Sequence, residues 1–310
     1  MKSLNLYKNL VKQRKMKIID IIKKSKAILE DSNIETSQLD SELLTAYVLK
    51  KEREYIHIYP EKEVNKDQAK KVFKVVKKRA KGFPLAYILG KKNFYNLDFK
   101  VTKNTLVPRP ETELLVDEAI ELGLKIKKEK VNFIDVGTGS GCIAISLKNY
   151  FKHYDNFNFY GIDKYRKTLK IAEENSRKNK LEDIKFIKSD LLKYFLKNKD
   201  KFQEYNIITA NLPYLTREQY GESLSIKKEP RRALISNEGG TRHYKKLFNQ
   251  INDIKKDLKI KFYIICEIDS SQDVLLKNLI IKKFKLNESS IKIKKDLAGL
   301  NRFITFYLSN

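Results

Sequence analysis

Four stretches of this chain place polar residues where apolar runs stop, and each suggests chemistry. In VNFIDVGTGSGCIAISL, residues 131–147, an apolar run ends at Asp135, then come Gly137, Gly139 and Gly141, then a helical repeat. Glycines at a strand-to-helix turn let the backbone approach a ligand closely, and the first turn of the helix adds unpaired N–H groups. In YGIDKY, Asp163 ends the next apolar run, 22 positions after Gly141. An acidic side chain there can accept both hydroxyl hydrogens of a ribose. FIKSDLL carries Ser189, Asp190 and Leu191 at the end of a third run, and IITANLPYLT carries Asn211, Leu212, Pro213 and Tyr214 at the end of a fourth. An Asp in such a place also serves as a helix N-cap, and Asn-Leu-Pro-Tyr also serves as a turn.

Several familiar chemistries are excluded. A dinucleotide fingerprint needs G-x-G-x-x-G, and counted from Gly137 its last position is Cys142. No Gly-Lys-Ser/Thr follows to make a phosphate-binding P-loop, and a nucleophile elbow around Ser140 fails because residue 138 is Thr. Cys142 and Cys266 are 124 positions apart, and His57, His153 and His243 are isolated, so no metal site is expected. The two thiols read as reduced core residues of a cytoplasmic protein.

The glycine turn, D-x-G-x-G-x-G, resembles the motif by which Rossmann-like methyltransferases hold S-adenosylmethionine. The resemblance implies cofactor contacts from Asp135, Gly137, Thr138, Gly139, Ser140, Gly141, Asp163, Asp190, Leu191 and Asn211, with Asp190 near the adenine amine and Leu191 against its ring. Asn211-Leu212-Pro213-Tyr214 resembles the (Asn/Asp)-Pro-Pro-(Tyr/Phe) motif of enzymes that methylate a planar nitrogen. Such a nitrogen has a delocalised lone pair and attacks poorly. Two acceptors aimed at its hydrogens, the Asn211 side-chain oxygen and the Leu212 carbonyl, stabilise the charge it develops, with Tyr214 against the planar group and Pro213 fixing the loop. On this logic Asn211→Asp is expected to be milder than Asn211→Ala. Leu212 departs from the usual Pro, which places loop rigidity in question. The motif leaves the acceptor open between a nucleic-acid adenine and a glutamine amide.

Residues 82–120, GFPLAYILGKKNFYNLDFKVTKNTLVPRPETELLVDEAI, are similar to the hairpin and linker of the protein-(glutamine-N5) methyltransferases of the PrmC/HemK type, which modify peptide chain release factors. EPRRAL (229–234), ICEIDSSQ (265–272) and KDLAGLNRFI (295–304) resemble later segments of that family, in order. PRPETE favours the release-factor branch over sister enzymes that act on a ribosomal protein. The resemblance implies S-adenosylmethionine as cofactor, release factors as protein partners, and a Gln in a Gly-Gly-Gln loop as target. GGTRHYKKL, residues 239–247, departs from the family's wording and receives no role.

The elements that must hold these residues follow from periodicity. Ile18, Ile21, Ile22, Ser25, Ile28 and Leu29 recur at helical spacing. A second helix is expected from Ser37, capped with Asp40 and burying Leu43, Leu44, Tyr47 and Val48, and a third from an N-cap at Asn65 to Lys81, ended by Gly82. Tyr95, Leu97, Phe99 and Val101 then alternate as in a strand. Strands are expected at 132–136, 157–162, 184–188, 205–210, 262–267 and 302–308, alternating with helices. In the helix after the glycine turn, Ile143, Leu147, Tyr150 and Phe151 should face inward.

Periodicity therefore predicts an α/β fold, and the resemblance implies a Rossmann-like class I methyltransferase domain (111–310), a small helical N-terminal docking domain (16–82) and a linking β-hairpin (83–110). Residues 1–15 are basic without the apolar core of a secretory signal, and read as an uncertain extension or leader, with Met16 an alternative start. The formal charge of +26 points to an anionic partner, yet only 11 of 65 basic residues are Arg. A Lys-rich solvated surface is expected rather than a stable nucleic-acid partner, and no membrane association. A rival reading is a basic adaptor that keeps only the cofactor fold.

Overall fold

The computed structural model describes residues 15–222 and 225–309, so most of the N-terminal extension lies outside the described residues. The chain divides into two compact units at Leu89/Gly90.

In the first unit, strands β1 (Met16–Lys17) and β2 (Glu63–Val64) pair antiparallel around helices α1 (Ile18–Glu30), α2 (Ser37–Leu49) and α3 (Arg53–Ile58), followed by α4 (Lys66–Ala80) and α5 (Leu85–Leu89). Ile18, Ile21, Ser25 and Leu29 form the buried stripe of α1. The Asn65 side-chain oxygen accepts the Gln68 N–H at 2.8 Å to start α4, whose Ala69, Val72, Phe73 and Val76 are buried.

Helix α2 departs from expectation. No side chain caps it, and its buried face carries Asp40, Ser41, Glu42, Leu44 and Thr45, leaving Tyr47 exposed. The physical reason is pairing. Arg79 meets Asp40 at 2.6 Å and Arg53 meets Glu42 at 2.6 Å, so carboxylates that would otherwise refuse burial occupy the inner face.

The second unit opens with the hairpin β3 (Lys91–Phe94) and β4 (Leu97–Lys100). Tyr95 and Asn96, with φ of 49° and 60°, form its two-residue turn, so the alternation starting at Tyr95 spans a turn and not one strand. A 3-10 turn at Pro110–Thr112 then leads into α6 (Glu113–Lys125).

There follow β5 (Val131–Val136), α7 (Cys142–Tyr150), β6 (Phe157–Asp163), α8 (Arg166–Lys178), β7 (Ile184–Lys188), α9 (Lys193–Lys197), β8 (Tyr205–Ala210), α10 (Arg217–Glu222), α11 (Arg242–Asp257), β9 (Lys261–Glu267), α12 (Asp273–Phe284), β10 (Ile291–Lys295) and β11 (Asn301–Leu308). The seven-stranded sheet runs β10-β11-β9-β8-β5-β6-β7, with β5 to β9 parallel and β10 and β11 antiparallel.

Apolar clusters cover both faces of the sheet, as parallel strands require, with Phe133 stacked on Phe159 in one and Phe248 beside Phe306 in the other. Tyr150 is exposed where an inward position was expected, because Phe151 already fills that corner. Strand β10 escaped the sequence reading: as an edge strand it carries lysines, which hide the apolar alternation. Both cysteines are buried and free. Among the described residues no helix is long and apolar enough to cross a membrane, and no cluster could hold a metal ion.

Candidate active site

The strand register assembles the site. Val136 pairs with Ile162 of β6 and with Ala210 of β8, and Ala210 pairs with Cys266 of β9. One residue further along each strand, Asp163, Gly137, Asn211 and Glu267 therefore stand abreast at the carboxyl edge of the sheet. Strand order reverses between β5 and β8, and a ligand cleft opens at such a switch point. Gly137, Thr138, Gly139 and Ser140 line the cleft from one side, Asp163, Asp190 and Leu191 from a second, and Asn211, Leu212 and Pro213 from a third.

Asp135, Gly141 and Tyr214 do not line it. Asp135 is fully buried, accepting the Thr138 hydroxyl at 2.6 Å and the Thr209 hydroxyl at 3.2 Å. Gly141 (φ 82°) serves packing: a Cβ there would come within 2.9 Å of Ile145 and 3.1 Å of Ala172. Gly139 differs. With φ 57°, a Cβ on it would meet nothing nearer than the Gly137 carbonyl oxygen at 3.8 Å, so the turn leaves a hollow along its backbone.

Burial pushes the Asp135 carboxyl up to about 6, against the two threonine hydroxyls and the Ala144 N–H that favour its ionised form. The unfolded chain at pH 5 is ionised at this group while the folded chain holds the proton, so stability falls as pH rises through the interval. Between about pH 4 and pH 7 this group should cost wild type about 2 kcal/mol. Asn at this position removes that slope, which denaturant titrations of wild type and Asp135→Asn across the interval will read.

Asp163 accepts the Tyr165 N–H at 2.8 Å and the Gly139 N–H at 3.3 Å. Burial raises its pKa, with those N–H groups and Arg232 opposing. The Arg232 guanidinium lies 4.4 Å from the Tyr165 ring centroid and lines the same cleft. Asp190 is partly buried, but the Lys246 and Lys164 ammonium groups overcome that burial and hold its pKa down. One of its carboxylate oxygens is thus already engaged. Leu191 takes a φ of 56° and is buried against the cleft wall.

The Asn211 loop is held by groups the sequence reading gave no role. Asn211 Nδ2 donates to Glu267 Oε2 at 2.8 Å and to Thr112 Oγ1 at 3.1 Å. The Thr112 hydroxyl donates to Glu267 Oε2 at 2.6 Å and the Tyr214 hydroxyl to Glu267 Oε1 at 3.2 Å. Burial raises the pKa of Glu267, while the donors and Arg302 favour its ionised form; three converging donors are the surroundings of a carboxylate. Tyr214 is therefore pinned away from the cleft by its hydroxyl.

Leu212 answers the question its sequence raised. Its N–H, which a proline would lack, donates to the Tyr244 hydroxyl at 3.3 Å, and that hydroxyl donates to the Glu267 carbonyl. Its buried side chain abuts the glycine turn so closely that a Cβ on Gly137 would fall 2.9 Å from Leu212 Cδ2. Hydrogen bonding and packing supply the rigidity a ring would give.

GGTRHYKKL also acquires a place. Tyr244 buttresses Leu212, and His243 lines the cleft. Gln272 Nε2 donates to the Tyr214 carbonyl at 2.7 Å and the Gly239 carbonyl at 3.1 Å. Gly240, at φ 83°, lies so close that an added Cβ would stand 1.9 Å from Gln272 Nε2 and 2.1 Å from the Tyr214 oxygen. Gly240→Ala is expected to destabilise the protein by about 3 kcal/mol through overlap and backbone strain. A lowered urea midpoint checks it, and an unchanged midpoint would refute the packing argument.

A family model described as a methyltransferase domain matches residues 127–296, and one described as the PrmC N-terminal domain matches residues 20–90. The catalytic domain of hMettl16 in complex with the MAT2A 3′UTR hairpin 6 shares the fold, with a TM-score of 0.52 at 15% identity over 69% of this chain and 76% of that one. Sheet order, glycine turn and matched domain together define a Rossmann-like, S-adenosylmethionine-dependent class I methyltransferase.

Curated relatives narrow the class. The release factor glutamine methyltransferase of Thermodesulfovibrio yellowstonii is 33% identical over 266 residues, covering 85% of this chain and 90% of the relative. That of Coxiella burnetii is 34% identical over 270 residues (87% and 91%), and that of Bacillus subtilis 32% over 268 residues (85% and 89%). The chain belongs to the release factor glutamine methyltransferase family.

Proposed function

We propose that this enzyme transfers the methyl group of S-adenosylmethionine to the side-chain amide nitrogen (N5) of the Gln in the Gly-Gly-Gln motif of peptide chain release factors. One observation carries the chemistry: Asn211 spends both amino hydrogens on Thr112 and Glu267, while among the described residues no donor reaches its Oδ1 or the Leu212 carbonyl oxygen. Two acceptors on consecutive residues of a cleft-lining loop suit a nitrogen that arrives with two hydrogens.

The residues present fit the cofactor. Asp163 would hold the ribose hydroxyls with its carboxylate oxygens, the hollow beside Gly139 would admit the close approach of a ligand chain, and Leu191 would give the adenine an apolar neighbour. Asp190 can accept from the adenine amine with the oxygen that its lysines leave free. Asp135 and Gly141 support this binding from behind, through the Thr138 hydroxyl and the seat of α7.

When bound, S-adenosylmethionine supplies an electrophilic methyl carbon on a sulfonium. Asn211 Oδ1 and the Leu212 carbonyl would accept the two hydrogens of the glutamine nitrogen, localise its lone pair and stabilise the positive charge it gains as the N–C bond forms and the methyl–sulfur bond breaks, the electron pair of that bond staying on sulfur in the departing neutral thioether. One of those protons then leaves to water, so no histidine base is required. Pro213 stiffens the loop, and Tyr214, tied to Glu267, holds its far side. Positioning in line does much of the remaining work.

We assign residues 16–82 to release-factor docking, 83–110 to a linking hairpin and 111–310 to catalysis; the match of the PrmC N-terminal domain to residues 20–90 supports the first. Two free, buried thiols favour a cytoplasmic setting. Mass spectrometry of a release factor incubated with enzyme and S-adenosylmethionine, with RNA and DNA in the same tube, tests the reading. A methyl on the Gly-Gly-Gln glutamine is expected. A methyl on nucleic acid, or none anywhere, would overturn it.

A further inference from the structure

An asparagine side chain is nearly symmetric in shape but not in chemistry: one end accepts and the other donates. Only the accepting end serves a nitrogen that brings hydrogens, so something must choose which end of Asn211 faces the cleft. Against its amino end stand Glu267, 1% exposed, and Thr112, 2% exposed and part of the cleft wall. A carboxylate has only lone pairs to give. The single Thr112 hydroxyl hydrogen is committed to Glu267 Oε2 at 2.6 Å, so toward Asn211 Nδ2, 3.1 Å away, that oxygen too presents only lone pairs. Seated the other way, the Asn211 oxygen would face two acceptors in a buried place, at the cost of two hydrogen bonds and a repulsion.

We propose that Glu267, with Thr112, is a positioning residue that locks the Asn211 amide with Oδ1 toward the acceptor nitrogen. The proposal rests on the function assigned above. Glu267 acts through Asn211 and not on substrate: it does not line the cleft, and both its oxygens are occupied by Thr112, Asn211 and Tyr214. The sheet supplies its placement, since the Ala210 to Cys266 pairing sets residue 267 beside residue 211, and the Tyr244 hydroxyl fastens its carbonyl.

Glu267→Gln tests this, because glutamine keeps the size but can turn an N–H toward Asn211 and so tolerate the reversed amide. The expected result is a kcat reduced by roughly 10- to 100-fold, with cofactor Kd and release-factor KM within about threefold of wild type. In an Asn211→Ala background the same substitution should change kcat by less than about twofold, as expected for residues acting as one unit. Losses that multiply would overturn the proposal, as would a Glu267→Gln defect confined to KM or cofactor Kd.

Thr112→Val should reproduce a smaller kcat loss and Thr112→Ser restore it, which keeps the test open if Glu267→Gln folds poorly. Hydrogen exchange of the Asn211 side-chain amide protons, assigned in NMR spectra by their absence in Asn211→Ala, is independent of turnover. They should exchange slowly in wild type and faster in Glu267→Gln; equal protection would refute the lock. An unmethylated release factor with this exchange pattern intact would sink the assigned function and leave the lock standing.

Discussion

Asn211→Ala is expected to lower kcat for glutamine methylation by about 10²- to 10³-fold, the usual cost of removing one preorganised hydrogen-bonding group from the charge that develops in a transition state. Calorimetry should find the cofactor affinity far less affected than kcat, because Asn211 is one cleft-wall contact among many and the glycine turn and Asp163 are untouched. Wild-type turnover in the alanine variant would exclude the side chain from the mechanism. Asn211→Asp is the sharper companion. The motif alone recommends it as the milder change, since aspartate also accepts, but Nδ2 stands 2.8 Å from Glu267 Oε2. A second carboxylate there must share a proton with the first or push the loop open. Asn211→Asp should therefore be as damaging as Asn211→Ala at alkaline pH, and recover relative to wild type as pH falls and the pair takes up a proton. A mild effect at high pH would contradict the arrangement of Glu267 around Asn211.

The second large effect is expected at the other end of the cleft. Asp163→Ala removes the acceptor of the Gly139 and Tyr165 N–H groups together with the carboxylate offered to the ribose. Each charge-assisted hydrogen bond contributes about 1.5–3 kcal/mol, so cofactor affinity should fall by about 10²-fold or more. At saturating cofactor kcat should recover much of its value, since Asp163 binds and does not touch the transferred group. Titration calorimetry and a kcat measured at two cofactor concentrations separate the outcomes. A loss of kcat with intact affinity would remove Asp163 from ribose binding.

The central strands and the glycine turn were legible because strands buried on both faces read as unbroken apolar runs even in a Lys-rich composition. The ends of those strands were legible for the same reason: polar residues interrupt apolar runs abruptly at Asp135, Asp163 and Asn211. What stayed hidden is what sheet register brings together over long separations. Glu267 lies 56 positions from Asn211, and nothing local distinguishes a glutamate that ends an apolar run from one that caps the next turn. Thr112, within PRPETE, reads as ordinary helix entry until β9 delivers a carboxylate to it. The inner face of α2 was misjudged because buried Asp40 and Glu42 look like surface residues until Arg79 and Arg53 are seen to meet them. Leu212 was legible as an anomaly but not as a solution, since its hydrogen-bond partner lies 32 positions away.

The contact of Leu212 with the glycine turn has a consequence for how such a site can drift over generations. The leucine packs over a bare residue 137, where a Cβ would push its Cδ2 aside, and its N–H is the donor that the Tyr244 hydroxyl receives. Proline at 212 would free the space over Gly137 and take one partner from Tyr244 in the same step. The two loops therefore share a wall, and a substitution at 137, 212 or 244 is expected to be judged by what stands at the other two, so its cost in this chain is not the cost it would carry beside a proline at 212.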